Sequence, residues 1–221
     1  MSSPQAKEWL AAEAVELGNL QRNQTWEALK NMPTDTCGPV MPSKWVYTVK
    51  HKKDLITVDK FKARLVAGGH RRILGVDHLP QEVYCDVLMF ATLRTALSIA
   101  VQDPACFIEH WDVKAAFITA KMRKTMYMRP PPGYSKDISV VKLLKALYGV
   151  PEAMRWFCDL FNDTVVGMGM KKSEADPRLY ILRRGSSYCF LPVFVDDNYP
   201  VSNDPKLNKY QRNFHKIIRR L

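Results

Sequence analysis

The sequence predicts an α+β fold, in which strands and helices are mixed irregularly rather than in a regular βαβ repeat. Alternating segments such as 45–50 and 61–67 are typical of strands, and the polar link 54–59 between them suits a hairpin. Segments 91–101 and 151–167 instead have the apolar spacing of amphipathic helices. The chain has 221 residues, 47% of them hydrophobic, which is enough to bury a core and excludes a wholly disordered protein.

The first predicted element is an N-terminal helix. Ser3 is a good N-cap and Pro4 suits the first helical position, so the helix is expected to begin there. Gly18 is expected to end or weaken it. The expected buried face carries Leu10, Ala14 and Leu17.

The remaining segments follow from the same two periodicities. In chain order they are a helix over 91–101, a strand over 107–113, an extended segment over 140–147, a helix over 151–167, strands over 179–182 and 188–195, and a basic helix over 205–221. The turn at Gly185 makes the last two strands a hairpin, and Tyr210, Phe214 and Ile218 align on the final helix.

The charge balance indicates a polyanionic partner. Lys and Arg number 33 against 22 Asp and Glu, which gives a formal net charge of +11 at pH 7. A nucleic acid is the first partner to consider for such a chain. The alternative is that excess lysine only keeps the protein soluble, and composition does not separate the two.

No apolar stretch is long enough to span a bilayer, and the N-terminus does not resemble a secretory signal, so we expect no membrane partner and a cytoplasmic location. The five cysteines are odd in number and form no CxxC pair. This pattern excludes a disulfide scaffold or a zinc finger and indicates a reducing compartment. The five histidines show no metal-ligand spacing and are interpreted as structural or surface residues.

Two predicted strands end in carboxylates that could hold a divalent metal. Asp196 and Asp197 follow an apolar strand, where paired acids are costly unless a cation compensates their charge. A solvated turn is the alternative, because Asp-Asp-Asn is common in turns. Asp112 ends the strand 107–113 and could complete the site, with a helix N-cap for 114–122 as its alternative.

A basic strand is the third feature with possible chemistry. Strand side chains alternate, so Lys60, Lys62 and Arg64 are expected on one face, about 7 Å apart, a spacing that matches a triphosphate or a phosphate backbone. The opposite face, turned toward the core, carries Phe61, Ala63 and Leu65. The alternative is an exposed strand face whose lysines block edge pairing.

Six short motifs occur in one order along the chain. They are Trp45-Val-Tyr-Thr-Val-Lys50, Phe61-Lys-Ala-Arg-Leu-Val-Ala-Gly68, Asp112-Val-Lys-Ala-Ala-Phe117, Tyr127-Met-Arg-Pro130, Leu147-Tyr-Gly149 and Phe194-Val-Asp-Asp197. Their order and spacing resemble the reverse transcriptase of copia-type (Pseudoviridae) LTR retrotransposons. The resemblance covers nearly the whole chain.

The resemblance implies a right-hand polymerase fold, with fingers over 1–88 and 120–147 and a palm over 89–119 and 148–221. The palm would be an antiparallel sheet packed on helices. Because the chain stops soon after the palm, we expect no thumb and no ribonuclease H region, and a protein partner could supply the missing thumb. A virus-like particle or the nucleus is a further possible location.

The implied activity is RNA-directed DNA polymerisation, in which a deoxynucleoside triphosphate is joined to a primer 3′-hydroxyl on an RNA or DNA template. By resemblance, Asp112, Asp196 and Asp197 are the catalytic residues and the ligands of two Mg²⁺ (or Mn²⁺) ions.

The resemblance also implies a set of nucleotide-binding residues. Lys62 and Arg64 would grip the incoming triphosphate. Phe117 would be the gate that collides with a ribose 2′-hydroxyl, with an aromatic core residue as the alternative. Tyr148 and Gly149 would back the template base and nucleotide, although Tyr148 could instead be a buried aromatic residue.

Three residues depart from the family pattern in ways that bear on activity. Pro192 and Pro200 flank the acidic turn, and each removes a ladder donor, which favours a less rigid turn. Glu152 replaces a polar residue and is expected to place a negative charge near the nucleotide. These departures leave a second hypothesis open, a truncated or co-opted relic that binds RNA or acts structurally without catalysis.

Overall fold

A computed structural model describes residues 4–34, 38–113 and 116–207. Within these ranges there are four α-helices: α1 Ala6–Arg22, α2 Pro80–Val83, α3 Phe90–Gln102 and α4 Ala153–Gly167. Short 3₁₀ helices lie at Gly69–Arg71 and Ala116–Thr119. The strands are β1 Trp26–Leu29, β2 Ser43–His51, β3 Val58–Ala67, β4 Phe107–Ile108, β5 Trp111–Asp112, β6 Tyr127–Met128, β7 Val140–Leu143, β8 Lys171–Lys172, β9 Leu179–Arg184, β10 Ser187–Phe194, β11 Asp197–Asn198 and β12 Val201–Ser202.

The chain divides into two compact units. The first unit comprises Met1–Val83 and Ala120–Ala153, and the second comprises Tyr84–Thr119 and Met154–Leu221. All pairings between these strands are antiparallel. The prediction of an α+β fold with antiparallel sheets is therefore confirmed.

In the first unit, the hairpin of β2 and β3 packs one of its faces on α1. Cross-strand neighbours share a face, and Tyr47 lies opposite Ala63 on the apolar face of the hairpin. The ring of Trp9 contacts Phe61 and Tyr47 at centroid distances of 4.6 and 5.1 Å. Leu65 on the same face is fully buried. The predicted alternation of β3 is thus confirmed.

The N-terminal helix differs from its prediction in both its end and its buried face. Helix α1 continues through Gly18 to Arg22, since a glycine costs a helix only about 1 kcal/mol relative to alanine. Leu10, expected on the buried face, is 56% exposed, whereas Leu20 is buried. The contacts of Trp9 with the hairpin determine which face of the helix is buried. The weak amphipathic pattern of the helix does not determine it. Ser3 lies outside the described residues.

The remaining strands of the first unit form a three-stranded sheet in the order β1, β7, β6. The central strand β7 pairs with both neighbours, and Val140 and Val141 on it are fully buried. Burial on both faces suits a central strand made of β-branched residues. The strand confirms part of the extended segment expected over 140–147.

The end of β3 makes a close backbone contact with Gly149. The amide N–H of Ala67 donates to the carbonyl of Tyr148 at 2.7 Å. Gly149 has a φ of +87°, and a Cβ placed on it would lie 2.0 Å from the carbonyl oxygen of Ala67. A Cβ on Gly69 would in turn lie 2.0 Å from the carbonyl oxygen of Gly149. Only glycine fits at either position without moving the backbone.

The second unit is built on a sheet whose central strand is β10. The order is β4, β12, β10, β11, β5, with β9 on the other side of β10 and β8 beyond it. The strand that returns from β10 is divided into β11 and β12 around Pro200, as the missing proline donor predicts. The strand expected over 107–113 is also divided, and the amide of Glu109 donates to the carbonyl of Pro200 across the gap.

Helices α3 and α4 supply the core of the second unit. Phe157 and Phe161 on α4 are fully buried, and the ring of Phe161 lies 5.9 Å from that of Tyr180 on β9. Each buried phenylalanine contributes about 1.5–3 kcal/mol. On α3, Ala96 and Ala100 pack with Val201 of β12. Both helices confirm the segments predicted from their apolar spacing.

A disulfide joins Cys85 to Cys158 within the second unit. The odd cysteine count and wide spacing did not predict this bond, because the fold brings together two residues that are distant along the chain. Cys106 and Cys189 remain as thiols.

Across the described helices, none is long and apolar enough to cross a membrane. Tyr210, Phe214 and Ile218 of the expected last helix lie outside the described residues.

Replacing Gly149 by alanine should destabilise the first unit by several kcal/mol, because its Cβ would overlap the carbonyl of Ala67. Gly133→Ala is the matched control, since Gly133 has a similar φ of +85° but no atom within 4 Å of the position that a Cβ would take. The control should cost only about 1 kcal/mol, the strain of a left-handed alanine. Urea denaturation measures both, and equal losses would contradict the close-contact explanation.

Candidate active site

Two aspartates lie at a tight turn between β10 and β11. Phe194 pairs with Asp197, so Val195 and Asp196 form a two-residue hairpin turn. Val195 has a φ of +57°, a left-handed conformation that a β-branched residue rarely adopts. Such strain costs about 1–3 kcal/mol and is found most often at functional sites. The strained turn therefore marks this tip of the sheet as a candidate site.

The third aspartate is the direct cross-strand neighbour of this turn. Asp112 on β5 lies opposite Asp197 on β11, and the amide of Val113 donates to the carbonyl of Asp196 at 2.9 Å. Directly opposed residues have their Cα atoms about 4.5–5.5 Å apart. Asp112 is exposed, and the other two aspartates are partly exposed. The structure thus places the three aspartates that the sequence singles out at one end of the sheet.

Asn198 braces the acidic turn from behind. Its side-chain amide donates to the carbonyl of Asp196 at 3.0 Å and to the carbonyl of Trp111 at 3.3 Å. The residue is 1% exposed, and its Oδ1 has no hydrogen-bond partner in the part of the chain that the structure describes. An unpaired buried carbonyl costs about 1–3 kcal/mol. The return strand is interrupted at Pro200, and the side chain of Asn198 therefore ties the acidic turn to β5, at some cost in stability.

His110 contacts the site, which sequence reasoning missed. Its Nε2 lies 3.0 Å from Oδ1 of Asp197, and its ring stacks on Tyr199 at a centroid distance of 4.9 Å. A strand places residues i and i+2 on one face, so the position two residues before Asp112 was the available signal. His110 is exposed, which agrees with its interpretation as a surface residue, and its contact with Asp197 is the feature that the sequence did not indicate.

The donor atoms of this site suit a divalent cation. Carboxylate oxygens are the ligands that Mg²⁺ and Mn²⁺ prefer, and the strand pairing sets Asp112 beside Asp197. Over residues 4–34, 38–113 and 116–207, however, no three His, Cys, Asp or Glu side chains are arranged to hold a metal ion. One oxygen of Asp197 is engaged with His110. Coordination by all three acids therefore requires side-chain rotation, and it stays a prediction.

A basic face forms on the hairpin of the first unit, opposite the face that α1 covers. The register places Lys50 opposite Lys60, Thr48 opposite Lys62 and Val46 opposite Arg64. Cross-strand neighbours share a face, so five cations lie together: Lys44, Lys50, Lys60, Lys62 and Arg64. We call this set the ribbon face. The sequence predicted the three cations of β3, and the hairpin register adds the two of β2.

The cations of the ribbon face repel one another. Partial burial, and then the nearby charges of Arg64, Lys50 and Lys60, lower the pKa of Lys62, and the carboxylate of Glu16 on α1 offsets only part of this effect. Like charges directly opposite on a sheet are destabilising. A polyanion on this face would relieve that repulsion.

Arg64 and Tyr148 come together in the first unit. The guanidinium carbon of Arg64 lies 5.2 Å from the centre of the Tyr148 ring, within the range of a cation–π contact. Gly149, next to Tyr148, is held by its close contact with β3.

In the second unit, Phe117 is half-buried and its ring meets that of Phe157 edge-on at 6.2 Å. That contact suits the core alternative for part of the Phe117 ring and leaves the rest exposed.

Glu152, which the sequence analysis expects to place a negative charge near the nucleotide, is paired with a cation in the structure. Its carboxylate is fully buried, and both oxygens accept from the Nη1 of Arg72 at 2.8 Å. Lys124 lies 3.9 Å away as a second cation. Breaking such a buried pair costs about 3–5 kcal/mol. The departure at Glu152 is therefore compensated inside the first unit.

Comparison with known proteins matches the family described as reverse transcriptase (RNA-dependent DNA polymerase) over residues 23–217. The chain belongs to this family. It is 34% identical over 203 residues to the retrovirus-related Pol polyprotein from transposon RE1 of Arabidopsis thaliana, covering 90% of this chain and 13% of that protein. It is 30% identical over 211 residues to the corresponding polyprotein from transposon TNT 1-94 of Nicotiana tabacum, covering 94% and 15%.

The copia-type assignment made from the six motifs is confirmed by these relatives. The chain spans about one seventh of their length. In this reverse transcriptase family member, the three aspartates lie in the second unit, and Lys62, Arg64, Tyr148 and Gly149 lie in the first.

Replacing Val195 should reveal the strain of the turn. Glycine tolerates a φ of +57° and alanine does not, so Val195→Gly should be about 1 kcal/mol more stable than Val195→Ala. The same pair of changes at Val193, inside β10, is the control, and there alanine should be more stable than glycine. Urea denaturation of the four variants gives the comparison. Greater stability for alanine at both positions would show that the turn is not strained.

Proposed function

We propose that this chain is the catalytic domain of an RNA-directed DNA polymerase, which transfers a deoxynucleotide from its triphosphate to a primer 3′-hydroxyl. The observation that carries the proposal is the cross-strand pairing of Asp112 with Asp197, beside Asp196 at a strained turn. Family membership supports the same reaction.

The chemistry required of the chain is mainly positioning and charge neutralisation. Asp112, Asp196 and Asp197 would hold two Mg²⁺ (or Mn²⁺) ions, which when bound activate the 3′-hydroxyl and neutralise the leaving pyrophosphate. The residues around the acids fix where those oxygens can lie. Asn198 ties the turn to β5, and His110 occupies one oxygen of Asp197, so both residues restrict how the carboxylates can turn toward a cation.

In this proposal the first unit corresponds to the fingers and the second to the palm of a right-hand polymerase. The ribbon face would bind the triphosphate, with Lys62 and Arg64 as its main contacts, because it collects five cations whose mutual repulsion a polyphosphate relieves. Tyr148 holds the guanidinium of Arg64 by a cation–π contact, which limits its rotamers. Phe117, half-buried on Phe157, would use the exposed part of its ring as the ribose gate.

A second candidate function is RNA binding without catalysis, in a co-opted relic. The ribbon face favours it, since its five cations need no carboxylate to attract a nucleic acid. The buried oxygen of Asn198, which has no hydrogen-bond partner among the described residues, also favours a relic, because it makes the hairpin that carries the acids less stable. The two functions differ in whether the three aspartates are needed.

Primer extension on an oligo(rA) template with an oligo(dT) primer, in Mg²⁺ or Mn²⁺, separates the two functions. The native chain should add nucleotides, and Asp197→Asn should lose at least about a hundredfold in rate, because a ligand of the ions loses its charge. Asp163→Asn is the matched control, an identical change at an exposed residue of α4. It should leave the rate unchanged.

Template binding is measured in parallel by fluorescence anisotropy. RNA binding with no extension in either metal would favour the relic. Equal rates for native chain and Asp197→Asn would exclude the assigned site even if extension occurs.

A further inference from the structure

The second unit contains a small polar cavity that the proposed polymerase site does not use. It lies between α4, the strands β8 and β9, and the segment around Asp86, and its volume is about 180 Å³. Pockets for whole small molecules are usually about 300–1,000 Å³. A cavity of this size suits one compact group, such as a tetrahedral oxyanion, rather than a whole nucleotide.

A buried guanidinium with unsatisfied donors lines this cavity. Arg178 is 3% exposed, and its Nε and Nη2 make no hydrogen bond of good geometry within the described ranges, although Tyr180, Asp86 and Asp176 lie near enough to favour its charge. The guanidinium carbon lies 5.6 Å from the centre of the Phe161 ring. Buried arginines are normally paired, because each unsatisfied charged donor carries a desolvation cost. Burial lowers the pKa of Arg178, so the charge lies in a poorly solvated place.

Among the residues that line the cavity, cations outnumber acids by one, and the negative charge of Asp176 also acts on Arg178 from outside the lining. Arg155 and Asp159 pair with each other at 2.8 Å and cancel. Asp176, near the guanidinium, uses its oxygens to accept the backbone amides of Met89 and Arg178 at 3.0 and 2.9 Å.

Two cations then face one acid on the cavity wall. Lys172 projects from β8 and is exposed, and Asp86 is the one further carboxylate among the lining residues described. Asn162 and Tyr180 add neutral polar groups, although the Tyr180 hydroxyl donates to Asn162 Oδ1 at 3.4 Å and the Asn162 amide donates to Asp163 Oδ1 at 3.3 Å. The lining therefore favours an anion with several acceptor oxygens over a cation.

We propose that this cavity binds a phosphate group, held by Arg178 and Lys172 and limited in affinity by Asp86. A planar guanidinium with unsatisfied donors matches phosphate geometry, and lysine adds a point charge. The phosphate could be free inorganic phosphate or one phosphodiester of a nucleic acid, and both present the same oxygens to the cavity. The site is separate from the three aspartates and does not depend on catalysis.

The test measures inorganic phosphate binding to the full chain, by calorimetry and by the phosphate-dependent rise in melting temperature. Lys172→Gln should weaken binding about tenfold, the loss of one charged hydrogen bond. Lys171→Gln is the matched control, because it is the neighbouring exposed lysine of β8 and does not line the cavity. It should change the affinity less than about twofold. Asp86→Asn should act in the opposite direction and tighten binding, since it removes a repelling charge.

The variant Arg178→Met tests whether the buried guanidinium itself binds the phosphate. It should abolish the phosphate-dependent rise in melting temperature, whereas the surface variants keep the proposal testable if this core variant does not fold. No phosphate binding, or equal losses for Lys171→Gln and Lys172→Gln, would overturn the proposal and assign the cavity to water. A short single-stranded oligonucleotide separates the sources. Lower oligonucleotide affinity in Lys172→Gln alone would identify a phosphodiester, and unchanged oligonucleotide affinity would identify free phosphate.

Discussion

The pairing of β5 with β11 is the constraint on which the candidate active site depends. It places Asp112 directly opposite Asp197, although the two residues are far apart along the chain. The pairing is short, with only two residues on each strand, so the ladder alone supplies few hydrogen bonds. Asn198 therefore adds side-chain bonds to both Trp111 and Asp196, and the burial of Leu191 and Val193 on β10 anchors the adjacent strand.

Two features of this site cost stability. Val195 adopts a strained backbone conformation, and Asn198 buries an oxygen without a partner among the described residues. The core formed by Phe157, Phe161 and neighbouring aromatic residues lies on α4 and β9, and it supplies the stability that offsets these costs. Strain of this kind is expected where geometry serves binding.

Most of the strands and helices could be predicted, because their signals are local. The alternation of β3 and the spacing of α4 each specify a buried face without knowledge of the partner. Helix α1 shows the limit of this reasoning. Its apolar residues do not form a single stripe, so the position of Trp9 against the hairpin decides which face is buried and leaves Leu10 exposed.

The features that escaped prediction are pairings between distant residues. The bond between Cys85 and Cys158 and the contact of Arg72 with both oxygens of Glu152 join segments that no periodicity relates. His110 was missed for a different reason. Its spacing from Asp112 would place both on one face of the strand expected over 107–113, but its partner, Asp197, lies on another strand, and only the fold brings the two side chains together.

The central claim is that Asp112 and Asp197 act as one cation site. Titration of Mn²⁺ followed by electron paramagnetic resonance, on the native chain, Asp112→Asn, Asp197→Asn and the double variant, tests it most directly. The account predicts that each single change weakens Mn²⁺ affinity at least about tenfold and that the double variant loses little more, because the residues share one ligand. Unchanged affinity in either single variant, or losses that simply add, would contradict it.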